Sequence, residues 1–173
     1  MRGQSRGGRP GDSRCTPSWV WELALRGIGQ DAFDTDPATN DLSTVPARNR
    51  YTGSPINGLT APWHGHVWLN PPFSDIGPWA RRVVEEAKRW DLCSSITVLV
   101  PGDSSTVWWQ TLAGASGAIL ALNTRPRFSD SGPLFEDAAG SAPMATHLIH
   151  FGPAAPDAWG DRVKDSGLVL RRL

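Results

Sequence analysis

The residues of this sequence with the clearest chemical potential are Asn70-Pro71-Pro72-Phe73, which directly follow the apolar run His66–Leu69. Such a run predicts a short buried strand, and two consecutive prolines end a strand because neither can donate a ladder hydrogen bond. We therefore expect a rigid corner at the C-terminal end of a strand. In open α/β sheets, ligands bind at this edge.

This corner offers two oxygen acceptors and an aromatic ring. The amide oxygen of Asn70 and the main-chain carbonyl of Pro71 can accept both N–H groups of an exocyclic amine on a planar base, which frees the nitrogen lone pair for attack. Phe73 can stack on the base, a contact worth about 1–3 kcal/mol. Rigidity matters because a misplacement of about 1 Å at a reacting centre costs on the order of a hundredfold in rate. The pattern is typical of methyl transfer to an amine, and the alternative is a plain strand-ending turn.

A second group of polar residues follows another predicted strand. Phe33 to Thr35 has strand character, and Asp36-Pro37 turns the chain out of it. A carboxylate at the end of a strand suits ribose hydroxyls or the ammonium group of a ligand. The alternative is an Asx-turn, in which Asp36 or Asn40 bonds only to nearby backbone.

The elements that must position these residues follow from hydrophobic patterns. Thr16-Pro17 is typical of a helix start, with a hydroxyl N-cap and proline at the first helical position. Ser74 or Asp75 can cap a helix that runs to about Trp90. Together with a strand at 95–100, this predicts a βαβ unit and a parallel sheet with a right-handed crossover.

The rest of the chain is assigned from the same signals. We predict a loop at 41–62, a short helix at 104–114, a strand at 117–122, a loop at 129–143, and a strand at 146–151 that is antiparallel or at the sheet edge. Trp159 and Val163 indicate a final helix within 152–173. The strands before Asp36, Asn70 and Pro101 then open on one side of a single sheet.

Length and composition limit the possible functions. The chain has 173 residues, which fits a disordered basic arm at 1–14 and a single domain at 15–173. Lysine plus arginine equals aspartate plus glutamate at 17 each, which excludes a purely electrostatic nucleic-acid coat protein but allows a local basic groove. The spacing of Cys15 and Cys93 and of His64 and His66 predicts no metal site. No apolar run approaches the roughly 20 residues of a membrane span, and free thiols fit a reducing cytosol, so we expect a cytoplasmic protein.

Several motifs follow one another in a characteristic order. They are Thr16-Pro17, Phe33 through Asn40, Asn57-Gly58-Leu59, Trp63-x-Gly65, Val67 through Phe73 with Trp79, Arg125-x-Arg127-Phe128 and Ala142-Pro143. Through this set, over roughly residues 15–152, the chain resembles the phage-encoded DNA N-6-adenine methyltransferases of the Dam type.

The resemblance implies a compact, Rossmann-like α/β fold with a mostly parallel sheet flanked by helices, and S-adenosylmethionine as the cofactor. It implies that Asn70-Pro71-Pro72-Phe73 binds the adenine amino group. The cofactor-binding residues that it implies are Asp36, Pro37 and Ala38, with Asp34, Thr16 and Pro17.

The sequence departs from the family pattern at three places. Thr39-Asn40 stands where larger methyltransferases have glycines that let the backbone approach the cofactor. Phe73 replaces the commoner tyrosine, which keeps stacking and loses a hydroxyl. Asn57 stands where the family often has aspartate.

The resemblance also implies double-stranded DNA as the partner, in the cytoplasm of a bacterial host, with the target adenine flipped out of the stack. Arg125 and Arg127 are candidates for DNA contacts, together with Trp79. For the two arginines the alternative is a structural ion pair with Asp130 or Glu136.

Other functions use the same chemistry. The tetrapeptide also suits adenine in RNA or the amide of a protein glutamine, since both are planar amino groups. From a different class, the chain can be a non-catalytic DNA-binding relic that has lost its cofactor site. The recognition sequence and the oligomeric state stay open.

Overall fold

The structure is a computed structural model that describes residues 15–53, 55–129, 144–152 and 156–171. The arm predicted at 1–14 and most of the loop predicted at 129–143 lie outside these residues. The elements are α1 (Ser18–Ile28), β1 (Phe33–Asp36), β2 (Ala47–Arg50), β3 (Gly65–Leu69), α2 (Ile76–Glu86), β4 (Cys93–Pro101), α3 (Val107–Ala115), β5 (Ala118–Leu122), β6 (Thr146–Phe151), α4 (Pro156–Val163) and β7 (Gly167–Arg171).

All these strands join one seven-stranded sheet in the order β2-β1-β3-β4-β6-β5-β7. The pairs among β2, β1, β3 and β4 are parallel, as the predicted βαβ unit requires. The pairs β4–β6, β6–β5 and β5–β7 are antiparallel, so β6 and β7 run against the other five strands. Within the described part of the chain the sheet is therefore mixed, and the prediction of a mostly parallel sheet is not confirmed.

Helices cover both faces of the sheet. Along β3, Val67 and Leu69 belong to the core beneath α2 and α3, whereas Trp68 points to the core beneath α1 and α4. Successive side chains of a strand alternate between faces, so a strand that is covered on both sides is apolar throughout. This explains the continuous apolar run before Asn70 and fixes the position at which the chain leaves the sheet.

Two strands escape the sequence patterns. Residues 41–62 were predicted to be loop, yet Ala47–Arg50 forms β2 at one edge of the sheet, with only Ala47 against the core. Gly167–Arg171 forms β7 at the other edge, where Leu168 and Leu170 are exposed. An edge strand with little to bury lacks the alternation from which strands are predicted.

The start of α1 differs from the prediction. Pro17 is the N-cap, with extended backbone at φ −61° and ψ 146°, and the helix begins at Ser18. Thr16 therefore lies one residue too early for its hydroxyl to reach the first turn, and the predicted hydroxyl cap is wrong. At the other end of the helix, Gly29 supplies a left-handed C-cap with φ 69°.

The second helix, α2, is shorter than predicted. It ends at Glu86 rather than near Trp90, and the chain continues in turns up to Cys93. Glu86 is almost fully buried and accepts ion pairs from Arg82 at 2.7 Å and Arg89 at 3.4 Å. These ion pairs therefore stabilise a buried carboxylate where the helix meets the sheet.

Candidate active site at the carboxyl ends of β1 and β3

The order of the strands defines a crevice between β1 and β3. From β1 the chain moves outward to β2, and then returns to place β3 and β4 on the other side of β1. Ligands of open α/β sheets bind at such a reversal, outside the carboxyl ends of the strands. Asp36 ends β1 and Asn70 directly follows β3, so the predicted convergence of these two residues is confirmed.

A polar pocket joins these two residues. Its lining consists of side chains from three separate segments: Thr16, Asp36, Ala38, Thr39, Asn40, Ser43, Val45, Trp68 and Asn70. Thr16 and Ala38 were expected to bind the cofactor, and they lie here with Asp36. The sequence distance between these segments is large, and the parallel pairing of β1 with β3 brings them together.

The side chain of Asn70 is held from one side only. Its Nδ2 donates to Thr16 Oγ1 at 3.0 Å. Its Oδ1 is buried and accepts no hydrogen bond from the described residues. Leaving a buried acceptor without a donor costs about 1–3 kcal/mol. An incoming N–H group would remove that cost.

The double-proline corner turns as expected. Pro71 is buried, and the carbonyl of Pro72 accepts the N–H of Asp75 at 3.1 Å immediately before α2. Phe73 is 38% exposed, and its ring meets that of Phe128 at a centroid distance of 5.8 Å and an angle of 83°. Phe128 thus supports Phe73 through an edge-to-face ring contact, and the exposed part of the Phe73 ring can receive a planar group.

Two distant segments cross this corner side by side. Cys15 and Ser129 form an antiparallel bridge, with N–H to oxygen distances of 2.8 and 3.3 Å. The first of these residues is adjacent to Thr16, which contacts Asn70, and the second follows Phe128, which contacts Phe73. The bridge thus links the supports at both ends of the tetrapeptide.

Asp36 is a buried carboxylate with backbone partners. Burial raises its pKa to about 7, and hydrogen bonds from the Ala38 N–H and the Thr39 side chain, with the charge of Arg50, oppose the rise. Its Oδ1 accepts from Ala38 N–H at 3.2 Å, which is the Asx-turn considered as the alternative. Asn40 makes a second Asx-turn to Leu42 N–H at 2.9 Å. The residues whose side chains form these Asx-turns therefore also line the pocket.

Arg50 shapes the loop that follows Asp36. Its Nη2 lies 2.9 Å from the carbonyl oxygens of Asn40 and Ser43 and 3.2 Å from Thr39 Oγ1. Sequence reasoning missed this residue because β2 was assigned to a loop. A lone arginine in an edge strand gives no pattern that predicts such contacts.

A second pocket lies beside the first and shares Ala38, Thr39 and Asn40 with it. Aromatic, proline and small side chains form the remaining walls: Pro37, Tyr51, Thr52, Gly53, Asn57, Gly58, Pro72 and Trp79. Gly58 packs so closely on the carbonyl of Pro37 that a Cβ would overlap it. Glycine is therefore required in the Asn57-Gly58-Leu59 turn.

The remaining predicted residues are placed as follows. Asp34 pairs with Arg48 at 2.7 Å and accepts His66 N–H at 2.8 Å, and it lines neither pocket. Trp79 is 9% exposed, packs in the core beneath α2 and contributes to the second pocket. Pro17 is buried at the start of α1.

Arg125 and Arg127 are exposed on the segment that carries Phe128. The possible acidic partners Asp130 and Glu136 lie outside the described residues. In the parts of the chain that the structure covers, no three His, Cys, Asp or Glu side chains cluster to hold a metal ion. None of the helices described has the length and apolar character needed to cross a bilayer.

Known proteins resemble the chain in sequence. Residues 8–142 match the family model described as DNA N-6-adenine-methyltransferase (Dam). A DNA N-6-adenine-methyltransferase of Haemophilus phage HP1 is 28% identical over 147 residues, which cover 84% of this chain and 81% of the relative. A DNA N-6-adenine-methyltransferase of Escherichia phage T1 is 29% identical over 79 residues, or 44% of this chain and 31% of that relative.

The matched range contains all the residues that line the two pockets, and it contains the Asn-Pro-Pro-Phe corner. It extends over well more than half of the chain, and the relative from phage HP1 aligns along most of its own length. The chain therefore belongs to the DNA N-6-adenine-methyltransferase (Dam) family.

Proposed function

We propose that the protein transfers a methyl group from S-adenosylmethionine to the N6 amino group of adenine in DNA, within a Rossmann-like fold. One observation carries the proposal. The Oδ1 atom of Asn70 is a buried acceptor without a donor among the described residues, and it belongs to the pocket that also holds Asp36. Membership of the family, and the names of the two phage relatives, support DNA as the substrate.

The side chains that line the two pockets support S-adenosylmethionine as the cofactor. S-adenosylmethionine has a cationic sulfonium and ammonium and a flat adenosine. Asp36 would hold the cationic part, because a positive charge beside a buried carboxylate favours its ionised form. The second pocket, with Tyr51 and Trp79 in its walls, suits the flat part. Pro37 and Ala38 would contact the cofactor beside these groups.

When bound, the cofactor supplies an electrophilic methyl group. Asn70 Oδ1 and the carbonyl of Pro71 accept the two N6–H groups of a flipped adenine, and Phe73 stacks on its ring. Flipping costs a few kcal/mol and would let the amino nitrogen, as the nucleophile, reach the methyl donor. The N6 nitrogen, held by Asn70 and Pro71, would accept this methyl group and would then lose one proton to water. The step needs no dedicated base.

Methyl transfer in vitro tests this proposal. Wild-type protein with tritiated S-adenosylmethionine is offered unmethylated DNA, RNA and a glutamine-containing protein as separate substrates. We expect label only in DNA, and Asn70→Ala should lower transfer by more than a hundredfold with an unchanged unfolding transition. Asn49→Ala is the matched control, since this exposed amide on β2 lines neither pocket and should transfer at the wild-type rate.

Each other result has a definite meaning. Label in RNA or protein but not in DNA would show that the proposed substrate is wrong. Full activity of Asn70→Ala would show that Asn70 has no catalytic role. Calorimetry with S-adenosylmethionine identifies a non-catalytic relic, which would bind DNA and give no heat with the cofactor.

A further inference from the structure

We infer that Thr16 is a positioning residue, which fixes the side-chain amide of Asn70 with its oxygen toward the adenine amino group. The inference rests on the proposed function and extends it to a residue that does not touch the base. The observation behind it is the hydrogen bond from Asn70 Nδ2 to Thr16 Oγ1 at 3.0 Å, across 54 positions of sequence.

The orientation of this amide decides whether the site can work. The two ends of an asparagine amide have nearly the same size, but one end accepts hydrogen bonds and the other donates two. If Nδ2 faced the adenine, donors would oppose the N6–H donors, and the amine would be repelled rather than polarised. Because Thr16 engages Nδ2, the Oδ1 atom is left as the end without a protein partner among the described residues.

Thr16 is held more firmly than an ordinary loop residue. It is 4% exposed, and its neighbours are fixed on both sides. Cys15 forms the two main-chain hydrogen bonds to Ser129, and Pro17 caps α1. The hydroxyl oxygen therefore has a fixed position relative to β3, where it accepts the hydrogen bond from Asn70 Nδ2.

This role differs from direct cofactor binding, which the sequence predicts for Thr16. A residue that holds the cofactor changes its dissociation constant when its hydroxyl is removed. A residue that orients Asn70 changes the rate of the chemical step and leaves cofactor affinity alone. The two roles therefore separate in the kinetic constants.

The kinetic test uses Thr16→Val, which keeps the shape and removes the hydroxyl, and Thr16→Ser, which keeps the hydroxyl. We expect Thr16→Val to lower kcat between about tenfold and a hundredfold. The Kd for S-adenosylmethionine should stay within about twofold of wild type, because a residue that only orients Asn70 contributes little to cofactor binding. Thr16→Ser should restore most of the rate.

A double-mutant comparison isolates the pair. In an Asn70→Ala background no amide remains to orient, so Thr16→Val should cause no further loss of the residual rate. Thr97→Val is the matched control for the loss of a buried hydroxyl, since Thr97 bonds His150 at 3.0 Å on the opposite face of β4 from the α2 core. It should lower stability without lowering kcat.

A spectroscopic readout stands apart from activity. The side-chain NH₂ signal of Asn70, assigned with Asn70→Ala, should include a proton that exchanges slowly with solvent in the wild type. Exchange should become faster in Thr16→Val and slow again in Thr16→Ser. If wild-type protein methylates no DNA, the proposed function fails, and this signal still decides whether Thr16 holds the amide. The inference is overturned by an unchanged kcat in Thr16→Val, by a rise in cofactor Kd without a fall in kcat, or by a fast-exchanging Asn70 amide in the wild type.

Discussion

At the scale of single residues, the site combines two groups that the protein holds at a cost. Asn70 keeps a buried oxygen without a donor, and Asp36 keeps a buried carboxylate whose pKa is raised to about 7. Both costs would fall when a ligand supplies an N–H group to the first and a positive charge to the second. Relief of these two costs when a ligand binds would thus contribute to the binding free energy.

Asp36 should make stability depend on pH in a specific direction. Because its folded pKa of about 7 exceeds its ordinary value of 3.8, the folded state binds the proton more tightly than the unfolded state. The free energy of unfolding should therefore fall as pH rises from about 4 to about 7, by on the order of 4 kcal/mol at most. Asp36→Asn has no such titration. The free energy of unfolding of this variant, relative to that of wild type, should therefore be higher at pH 8 than at pH 5.

Urea unfolding of both proteins at pH 5 and pH 8 measures this difference. An equal gap between variant and wild type at the two pH values would contradict the buried, raised carboxyl. The same variant should bind S-adenosylmethionine more weakly, since it lacks the negative charge that faces the cation.

The residues of the site were predictable where the chemistry is local. Asn70 through Phe73 and Asp36 stand out because each sits at the end of a strand that its own neighbours define. The contact between Thr16 and Asn70 was not predictable, since nothing in a local pattern relates two side chains 54 positions apart. Thr16 was instead assigned to a helix cap, which the extended Pro17 prevents.

At the scale of elements, an edge strand and a loop replace a glycine-rich turn. Larger methyltransferases are expected to bring backbone to the cofactor through glycines, whereas here Thr39 and Asn40 stand in that place. The guanidinium of Arg50 binds three oxygens of this loop and so sets its path. An arginine on β2 thus holds this loop, in which none of the described non-glycine residues has a positive φ.

Arg50→Met should therefore open the loop while the strand remains. Hydrogen bonds from a charged donor contribute about 1.5–3 kcal/mol, so we expect the Kd for S-adenosylmethionine to rise about tenfold or more in calorimetry. Arg48→Met is the matched control on the same strand, because its arginine is 76% exposed and pairs with Asp34 away from both pockets. Similar cofactor affinities of the two variants would show that Arg50 does not shape the site.

Most helices and strands were predictable from hydrophobic periodicity and from the glycine, proline and capping residues that end them. The strands β3, β4, β5 and β6 and the four α-helices of the described residues follow from apolar runs and helical stripes. The edge strands β2 and β7 were missed because Ala47–Arg50 and Gly167–Arg171 bury too little to leave a pattern. The helix α2 ends at Glu86, whose burial is a tertiary effect that the local sequence does not show.

At the scale of the whole molecule, one half of the sheet carries the site and the other half completes the core. The parallel half, β2-β1-β3-β4, has the reversal of strand order that opens the crevice. The antiparallel half is built from β6, β5 and β7, and its order was not predictable, since apolar runs specify strands but not their neighbours. The chain has no net charge, so attraction to DNA must come from local groups.

Arg127, with Arg125, is our proposed source of that attraction. Removing one arginine–phosphate contact should make the negative slope of log affinity against log salt concentration shallower by about 0.9. We expect Arg127→Gln to produce this change in DNA binding, measured by anisotropy over a salt series. Arg171→Gln removes the same charge from β7, where the arginine pairs with Asp157 and Asp161, and should leave the slope unchanged. Equal slopes for Arg127→Gln and wild type would exclude Arg127 from the DNA contact.

The product made in cells tests the central claim most directly. DNA is isolated from a bacterial host that lacks adenine methylation and expresses either wild-type protein or Asn70→Ala, and it is digested to nucleosides for mass spectrometry. The two-acceptor corner predicts N6-methyladenine in DNA from wild-type cells and none above background from Asn70→Ala cells. Methylated adenine at equal levels in both, or in neither with folded protein present, would contradict the account.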